Sequence, residues 1–200
     1  MRGISRGKGI TVRLIAYNSG TDLYDERTGQ WFYYSDRADV LHVELLLPKD
    51  APAWAKELQE GISADRQKGM KVFSDLMENQ EKRKDARVYR EFEFALPKEL
   101  TIEQNIKLAN EFLQDQACQL GMVALSCFHL KIDEETGEEY LHCHAALGTR
   151  RLEEKGFSKK KEPAWDKKEL LLTWREQLAA YINFHLKLHG HDIRIDHRSY

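Results

Sequence analysis

Residues 128–144 read FHLKIDEETGEEYLHCH, and this stretch decides the fold. Two runs rich in apolar residues flank an acidic turn, which is typical of a β-hairpin. If the turn is centred on Glu135–Thr136, His129 lies directly opposite His142 and diagonal to His144. Directly opposed residues have Cβ atoms about 5 Å apart, and diagonal ones about 7–8 Å. The sequence therefore predicts three imidazoles close together on one face of an antiparallel hairpin.

The same three histidines form a candidate metal site. His142 and His144 are two residues apart, so both point to one face of the strand and Cys143 points to the other. Three imidazole nitrogens can bind an ion at about 2.0–2.2 Å and leave other coordination positions open. Cys127 shares this face, either as a fourth ligand or as a small apolar residue packed beside the site. The alternative is that the histidines only line the surface of a sheet.

Apolar periodicity and chain breakers predict the elements outside the hairpin. Val40–Leu47 and Arg90–Leu96 are expected to be strands, each followed by proline, and Ile193 and Ile195 suggest a short final strand. The predicted helices are Ile10–Tyr24, a charged segment over Lys56–Val88 that breaks at Gly61 or Gly69, one that begins at a Thr101–Gln104 capping box, and Asp166–Leu188. Together they predict an α+β fold, in which long helices flank a central antiparallel sheet.

The composition excludes several classes of protein. Of the 200 residues, 42% are hydrophobic and 32% are charged, which is typical of a globular domain rather than a disordered tail. No apolar stretch is long enough to span a bilayer, so we expect no membrane insertion. Three cysteines without CxxC spacing favour a reducing cytoplasm over a disulfide framework. The net charge is −2, so a nucleic-acid binder must use local basic patches rather than bulk charge.

Three further groups of residues have the chemistry of a functional site. Glu91 and Glu93 in REFEFALP share one face of a predicted strand. They are either the solvent side of an edge strand or carboxylates that orient a ligand histidine or take up a proton. Tyr17 lies on a predicted helix that begins in a basic segment. The aromatic run Trp31–Tyr34 either stacks on bases or packs a hairpin.

A series of short motifs carries a family resemblance. In chain order they read SRGKG, AYNSG, LYDERTG, LLLP, REFEFALPKEL, HCH, TRRL, GFSKK and RIDHRS. Together they resemble the MobA/MobL (MobQ-type) relaxases, which are the plasmid-mobilisation members of the HUH endonucleases. The resemblance covers nearly the whole chain in order, so it is more specific than any single motif.

The resemblance implies a fold, an activity and a set of partners. Such relaxases have a central antiparallel sheet flanked by helices and bind single-stranded DNA at an origin of transfer, beside a hairpin. They nick it with a tyrosine and a divalent metal, for which we expect Mn²⁺ or Mg²⁺, and the 5′-phosphotyrosine adduct allows the strand to be rejoined. Accessory mobilisation proteins and a type IV secretion coupling protein are further implied partners, and the bacterial cytoplasm is the implied location.

The resemblance also assigns roles to individual residues. The matching residues are Tyr17 as nucleophile, His129, His142 and His144 as metal ligands, and Glu91 and Glu93 on the acidic catalytic strand. Tyr24 follows two helical turns after Tyr17, and we predict Tyr17 as the nucleophile because it alone lies in the AYNSG match. The expected DNA contacts are Arg2, Arg6, Lys8 and Arg13 near the N-terminus, and Arg150, Lys159, Lys160 and Lys161 further on.

Three features depart from the family pattern. Asn18 stands where the family motif usually has arginine, which removes one expected DNA contact. Few residues precede SRGKG, so we expect the first strand to be shortened or absent. The chain stops just after RIDHRS, where related relaxases often continue. We expect residues 1–200 to form a single relaxase (nickase) domain, either cut from a longer protein or acting alone.

Two alternative functions use the same residues. One is a replication initiator or transposase of the HUH class, which acts with the same triad on another DNA. The other is a non-enzymatic DNA-binding module whose histidines hold a structural zinc. Structural zinc sites are closed by four protein ligands, and only three align well here, which favours an open catalytic site.

Overall fold

The protein consists of short strands and five helices over residues 1–5 and 9–198, which the computed structural model describes. The elements follow one another as β1 (Arg2–Ser5), α1 (Ile10–Ser19), β2 (Leu23–Asp25), β3 (Gln30–Phe32), β4 (Val40–Leu46), α2 (Ala53–Ala64), α3 (Arg66–Asn79), β5 (Arg87–Ala95), α4 (Ile102–Gln116), β6 (Ala124–Ile132), β7 (Glu139–Gly148), β8 (Leu152–Glu153), β9 (Gly156–Phe157) and α5 (Lys168–Leu188). Single 3₁₀ turns at Cys118–Leu120 and Pro163–Asp166 lead into β6 and α5.

A single antiparallel sheet carries five of these strands side by side, in the order β1, β5, β7, β6 and β4. The β6–β7 hairpin lies in its interior, where β7 also pairs with β5 and β6 also pairs with β4. The first strand, β1, is short, as expected, and pairs with β5 at the edge. The small ribbons β2–β3 and β8–β9 pair separately. This architecture confirms the predicted α+β fold.

Helices cover both faces of the sheet and create two cores. Successive strand residues point to opposite faces, so Phe128 of β6 joins one core and Leu125 joins the other. On the first face, α4 and α5 supply Phe112 and Trp174. On the second face, α1, α2 and α3 pack against the sheet, with Phe73 of α3 fully buried. The sheet is therefore the middle layer, and a polar group on its second face lies beneath α1–α3.

The first helix is shorter than the periodicity predicted. It ends at Ser19 because Gly20 adopts a left-handed conformation, with φ of 60°, and its N–H bonds back to the carbonyls of Ala16 and Tyr17. Tyr24 therefore lies on β2 and not on a helix that extends over Ile10–Tyr24. Because α1 ends at Ser19, Tyr17 lies in the last turn of this helix.

The capping box at the start of α4 is confirmed, whereas the predicted final strand is not. Thr101 and Gln104 exchange the expected reciprocal bonds at the start of α4. The predicted final strand at Ile193 and Ile195 is wrong, because no strand forms there within the described residues. The side-chain amide of Asn183 instead bonds both the N–H and the carbonyl of Ile195, at 2.8 and 2.9 Å. A side chain thus satisfies the backbone groups that a neighbouring strand would otherwise pair.

The break in the charged helical segment falls at Asp65, not at Gly61 or Gly69. Asp65 ends α2 in an extended conformation and its carboxylate accepts the N–H of Lys68, which caps α3. Both glycines lie within helices. A Cβ on Gly69 would lie 2.5 Å from the Cα of Ile62, so glycine is required where α3 crosses α2. No atom lies within 4 Å of a Cβ built on Gly61.

This contrast gives a stability prediction with a built-in control. Gly69→Ala should lower the free energy of unfolding by about 1–3 kcal/mol, because the new methyl group overpacks the helix crossing. Gly61→Ala should instead raise it by about 0.5–1 kcal/mol, because alanine lowers the entropy cost of the helix without a clash. Urea unfolding of both variants checks this, and equal effects of the two substitutions would contradict the packing argument.

Candidate active site

The three histidines lie on one face of the sheet, as the sequence predicted. His129 pairs with His142 across β6 and β7, which confirms the register of the hairpin. His144 pairs with Cys127 on one side and with Glu93 of β5 on the other. The ring centroids of His129 and His144 are 4.5 Å apart. This is the face covered by α1, and the histidines lie beside the last turn of that helix.

Glu91 is a buried carboxylate on this face, with only 3% of its side chain exposed. Of the two interpretations that the sequence left open, the solvent side of an edge strand does not hold for Glu91, because β5 pairs with both β1 and β7. Its oxygens lie 2.5 Å from Arg2, 3.0 Å from the amide of Asn18 and 3.6 Å from His144 Nδ1. Burial raises the pKa of Glu91, but the contacts with His144, Asn18 and Arg2 outweigh it and lower the pKa to about 2. Glu91 is thus an ionised group that orients its neighbours.

Glu93 lies two residues further along β5 and is 45% exposed. Its carboxylate lies 3.5 Å from His142 Nδ1 and 3.6 Å from His144 Nε2. Burial raises the pKa of Glu93, and its interactions with His144, Lys131 and His142 more than reverse this effect, so that the pKa is lowered. His144 consequently lies between two carboxylates, Glu91 at Nδ1 and Glu93 at Nε2.

His129 is buried and held in one tautomer. Its Nε2–H donates to the carbonyl of Asn18 at 2.7 Å, which leaves Nδ1 with a lone pair. Burial is the main reason why the pKa of His129 is lowered to about 4, so the ring is neutral at pH 7. A ligand histidine generally donates its other ring nitrogen to a carbonyl or carboxylate in this way. His129 therefore keeps Nδ1 available as a ligand atom while its other ring nitrogen is fixed by the Asn18 carbonyl.

The donor set of the triad fits a cation. Four buried ring nitrogens of the triad have no hydrogen-bond partner among the described residues: His129 Nδ1, His142 Nδ1, and both nitrogens of His144. Leaving such atoms unpaired costs about 1–3 kcal/mol each, which a bound ion would offset. As the side chains stand, no three His, Cys, Asp or Glu residues within 1–5 and 9–198 form a ready-made metal cluster. The ring nitrogens thus share one face of the sheet, but they do not all point to one common metal position.

Tyr17 lies at the edge of the triad and is half-buried. Its ring centroid is 6.0 Å from that of His129, and the ring also meets Tyr34 edge-on at 5.4 Å. The guanidinium carbon of Arg37 lies 3.7 Å from the centre of the Tyr17 ring, a cation–π contact. Arg37 also donates to the carbonyl of Tyr17 at 2.8 Å and pairs with Asp39. The predicted nucleophile is thus held on several sides at the edge of the triad.

Two of these positioning residues were not identified from the sequence. Arg37 is in a loop with no motif of its own, and only the tertiary structure brings it over Tyr17. Asn18 was noted only as a departure from the family pattern. In the structure its amide donates to Glu91 while its carbonyl accepts from His129, so it links a carboxylate to a histidine.

The second tyrosine, Tyr24, lies in a different environment. It is on β2, directly opposite Trp31 of β3, and the two ring centroids are 5.3 Å apart. Tyr17 and Tyr24 therefore do not share a face of one helix. The position of Tyr17 beside His129 distinguishes it from Tyr24.

Cys127 is buried beside the triad. Burial raises the pKa of its thiol well above the ordinary value, and the side chain belongs to the core beneath α1–α3. A protonated, buried thiol is a poor metal ligand, because cysteine binds metals as the thiolate. Of the two interpretations that the sequence left open, packing is the one that these contacts favour.

The predicted DNA contacts fall in different places. Arg13 is exposed on α1, one turn before Tyr17 and therefore on the same side of the helix. Lys159 and Lys160 are exposed and follow β9. The chain reaches β9 after it leaves β7 at Gly148, and His142 lies near the opposite end of β7. Lys161, in contrast, pairs with Glu81 at 3.2 Å.

Arginines 2 and 150 are engaged in ion pairs, and two other predicted contacts cannot be placed. Arg2 pairs with Glu91. Arg150 is largely buried and bonds Glu81 at 2.9 Å and the carbonyl of Ser158 at 3.0 Å, so its guanidinium holds loops together. Arg6 and Lys8 lie outside the described residues.

In the described part of the chain, none of the helices combines the length and the apolar character needed to cross a membrane.

Comparisons with known sequences identify the family of this chain. A model described as the MobA/MobL family matches residues 11–200. Conjugal transfer protein TraA from Rhizobium radiobacter is 33% identical over 218 residues, which include 98% of this chain and 19% of TraA. The chain spans about a fifth of the length of the TraA relatives it matches, 19% in each case.

Solved structures share the fold. One from work on the molecular basis of vancomycin resistance transfer in Staphylococcus aureus is 26% identical, with a TM-score of 0.81 over 100% of this chain and 96% of that chain. The metal-bound structure of the conjugative relaxase TrwC in complex with oriT DNA is 13% identical. It covers 98% of this chain and 72% of its own with a TM-score of 0.52, and the likeness is one of fold alone.

Proposed function

Because this chain belongs to the MobA/MobL family, we propose that it is a conjugative relaxase domain that nicks and rejoins one DNA strand at a plasmid origin of transfer. The family match confirms the resemblance carried by the sequence motifs. The observation that carries the proposal is the placement of Tyr17, whose ring lies 6.0 Å from that of His129 at the edge of a three-histidine face. The relatives are conjugal transfer and mobilisation proteins, and TrwC is a relaxase in complex with oriT DNA.

The residues that would hold a divalent cation are His129, His142 and His144. The buried nitrogens that make no hydrogen bond, the carbonyl that accepts from His129 and the carboxylate 3.6 Å from His144 support this assignment. We expect Mn²⁺ or Mg²⁺. When bound, such an ion would polarise the non-bridging oxygens of a phosphodiester and would stabilise the charge that develops in the transition state.

Tyr17 supplies the nucleophile. Its Oη attacks the phosphorus in line, and the Oη–P bond forms as the bond between phosphorus and the 3′ oxygen breaks. The phenol gives up its proton and the departing 3′ oxygen gains one, which leaves a 5′-phosphotyrosine and a 3′-hydroxyl. In the reverse direction the 3′-hydroxyl attacks the phosphotyrosine and restores the strand. A covalent link of this kind makes nicking and rejoining two directions of one reaction.

The residues around Tyr17 position it rather than react. Arg37 holds the ring through the cation–π contact and the backbone of the last helical turn through its bond to the Tyr17 carbonyl. Asn18 connects that turn to His129 and Glu91, so the helix end is hydrogen-bonded to the strands that carry the triad and the acidic residues. Arg13, one turn earlier on α1, would contact a phosphate next to the scissile one.

The partners follow from the same proposal. Single-stranded DNA with an adjacent hairpin is the substrate, and Arg13, Lys159 and Lys160 are the exposed basic residues that would contact its phosphates. Accessory mobilisation proteins and a type IV secretion coupling protein would act with the protein in the bacterial cytoplasm. The proposal concerns the domain formed by this chain, because its TraA relatives are about five times longer.

A plasmid-nicking assay tests the proposed function. Supercoiled plasmid carrying the cognate origin of transfer is incubated with the protein and Mn²⁺ or Mg²⁺, and the products are separated with and without protease. We expect open-circle DNA that carries covalently attached protein, and none with a control plasmid that lacks the origin. Tight binding of the origin without nicking in any divalent metal would instead support the non-enzymatic module. Nicking at a replication origin alone would support the initiator.

A further inference from the structure

The β2–β3 ribbon presents a row of aromatic rings on its outer face. Tyr24 pairs with Trp31 across the ribbon, so the two side chains share one face, and Tyr33, just after the end of β3, joins them through its contact with the Trp31 ring. The rings of Trp31 and Tyr33 are stacked, with centroids 5.7 Å apart and planes 10° from parallel. Tyr24 adjoins Trp31 at 5.3 Å. We refer to Tyr24, Trp31 and Tyr33 as the aromatic ladder.

The aromatic ladder is unusually exposed. Trp31 is 53% and Tyr33 68% accessible to solvent, although both are large rings that proteins generally bury. The inner face of the same ribbon already supplies its packing, through fully buried Leu23 and through Phe32, which packs against the core beneath α1–α3. The stability of the ribbon therefore does not require the outer rings, and an exposed aromatic cluster of this kind is typical of a binding surface.

The aromatic ladder also adjoins the candidate nucleophile. Tyr34 follows Tyr33 directly and meets the ring of Tyr17 edge-on at 5.4 Å. The Asp22 carboxylate fixes this junction, because it accepts the N–H groups of Tyr34 and Ser35 at 2.7 and 2.9 Å. The aromatic ladder thus lies one residue along the chain from a ring that contacts Tyr17.

We propose that the aromatic ladder is a base-stacking site for the unpaired DNA strand next to the scissile phosphate, an inference that rests on the proposed function. Every base presents a flat π-face, so parallel, exposed rings recognise single-stranded DNA without reading its sequence. Trp31 and Tyr33 bind successive bases by stacking, and Tyr24 supports Trp31 from across the ribbon. The stacked bases hold the strand in register, so that the following phosphate lies at Tyr17.

Binding measurements on a double variant test the ladder. The probe is a fluorescein-labelled oligo-dT of about 20 nucleotides, a length that spans such a site, and its Kd is measured by anisotropy at fixed salt. We expect Trp31→Ala/Tyr33→Ala to raise the Kd by about 5- to 150-fold for each stacked base lost. The slope of affinity against salt should not change, because no charge is removed. Trp31→Phe/Tyr33→Phe should retain most of the affinity, since both rings remain.

Two controls make the result specific. Phe184→Ala removes an equally exposed aromatic ring on α5, 61% accessible, and should leave the Kd unchanged. An abasic oligonucleotide of the same length keeps the phosphates but has no bases. The wild-type protein should prefer oligo-dT over it, and the double variant should lose that preference while its thermal unfolding matches the wild type.

The outcomes separate this inference from the proposed function. If the double variant binds oligo-dT as tightly as the wild type, the ladder is not a stacking site, and a protein partner becomes its occupant. The nicking proposal would still stand in that case, because plasmid nicking is measured independently. If the wild-type protein binds no single-stranded DNA, both proposals are wrong.

Discussion

Tyr17→Phe is expected to abolish the covalent protein–DNA adduct and to reduce nicking at the origin of transfer by at least about 10³-fold, as loss of a nucleophile does in other enzymes. The substitution removes only the hydroxyl group. The ring contacts with Tyr34, His129 and Arg37 remain, so folding and the affinity for single-stranded DNA should not change. Denaturing gels after incubation with an origin oligonucleotide give the adduct yield, and anisotropy gives the affinity.

Tyr24→Phe is the matched control for this prediction. It also removes one tyrosine hydroxyl, from the adjacent ribbon rather than from the end of α1. Nicking by this variant should be close to that of the wild type. If the adduct persists in Tyr17→Phe and is lost in Tyr24→Phe, the nucleophile is Tyr24 and the assignment of Tyr17 is wrong.

Removal of the triad is the second large effect we expect. His129→Ala, His142→Ala and His144→Ala should each lower nicking by roughly 10²–10⁴-fold, since metal stabilisation of the transition state is worth several kcal/mol. Excess chelator should do the same to the wild type. Binding of a single-stranded origin oligonucleotide should survive, because phosphate contacts and base stacking supply most of that affinity.

A direct metal measurement separates ligand loss from misfolding. Equilibrium dialysis with Mn²⁺ should show one ion bound by the wild type and weaker binding by each triad variant. His42→Ala is a suitable control, because this histidine lies on neighbouring β4 but contacts Phe128 on the opposite face of the sheet. Full nicking by His142→Ala in the presence of chelator would contradict the metal assignment.

The register of the triad was predictable because it depends on local sequence. The acidic turn fixes which residues pair, and alternation along each strand fixes the face, so a slip of one residue would have turned His129 away. The observed pairing of His129 with His142 follows from these two facts alone. The environment of Glu91 was not predictable in the same way. Alternation shows that Glu91 and Glu93 share a face, but it does not show that β1 and β7 pair on either side of their strand.

The contacts that hold Tyr17 depend on distant parts of the chain. Arg37 comes over the ring through a loop that Asp22 orders, and Asn18 bonds to a strand more than 70 residues away. Neither contact has a periodic signal. The helix boundary at Asp65 is a similar case, since glycine normally breaks helices, whereas here Gly69 is needed for the close contact with Ile62. Sequence patterns thus predicted the layers and the register of the triad, while the positioning residues required the tertiary structure.

Peptide mapping of the trapped adduct tests most directly whether Tyr17 becomes covalently attached to DNA. Trypsin alone leaves Tyr17 and Tyr24 in one peptide, because no Lys or Arg lies between Arg13 and Arg27. An added cleavage before Asp22 separates them. We predict that mass spectrometry finds the nucleotide on the fragment of residues 14–21, which contains Tyr17. A nucleotide on the fragment that carries Tyr24, or on any other residue, would contradict the account.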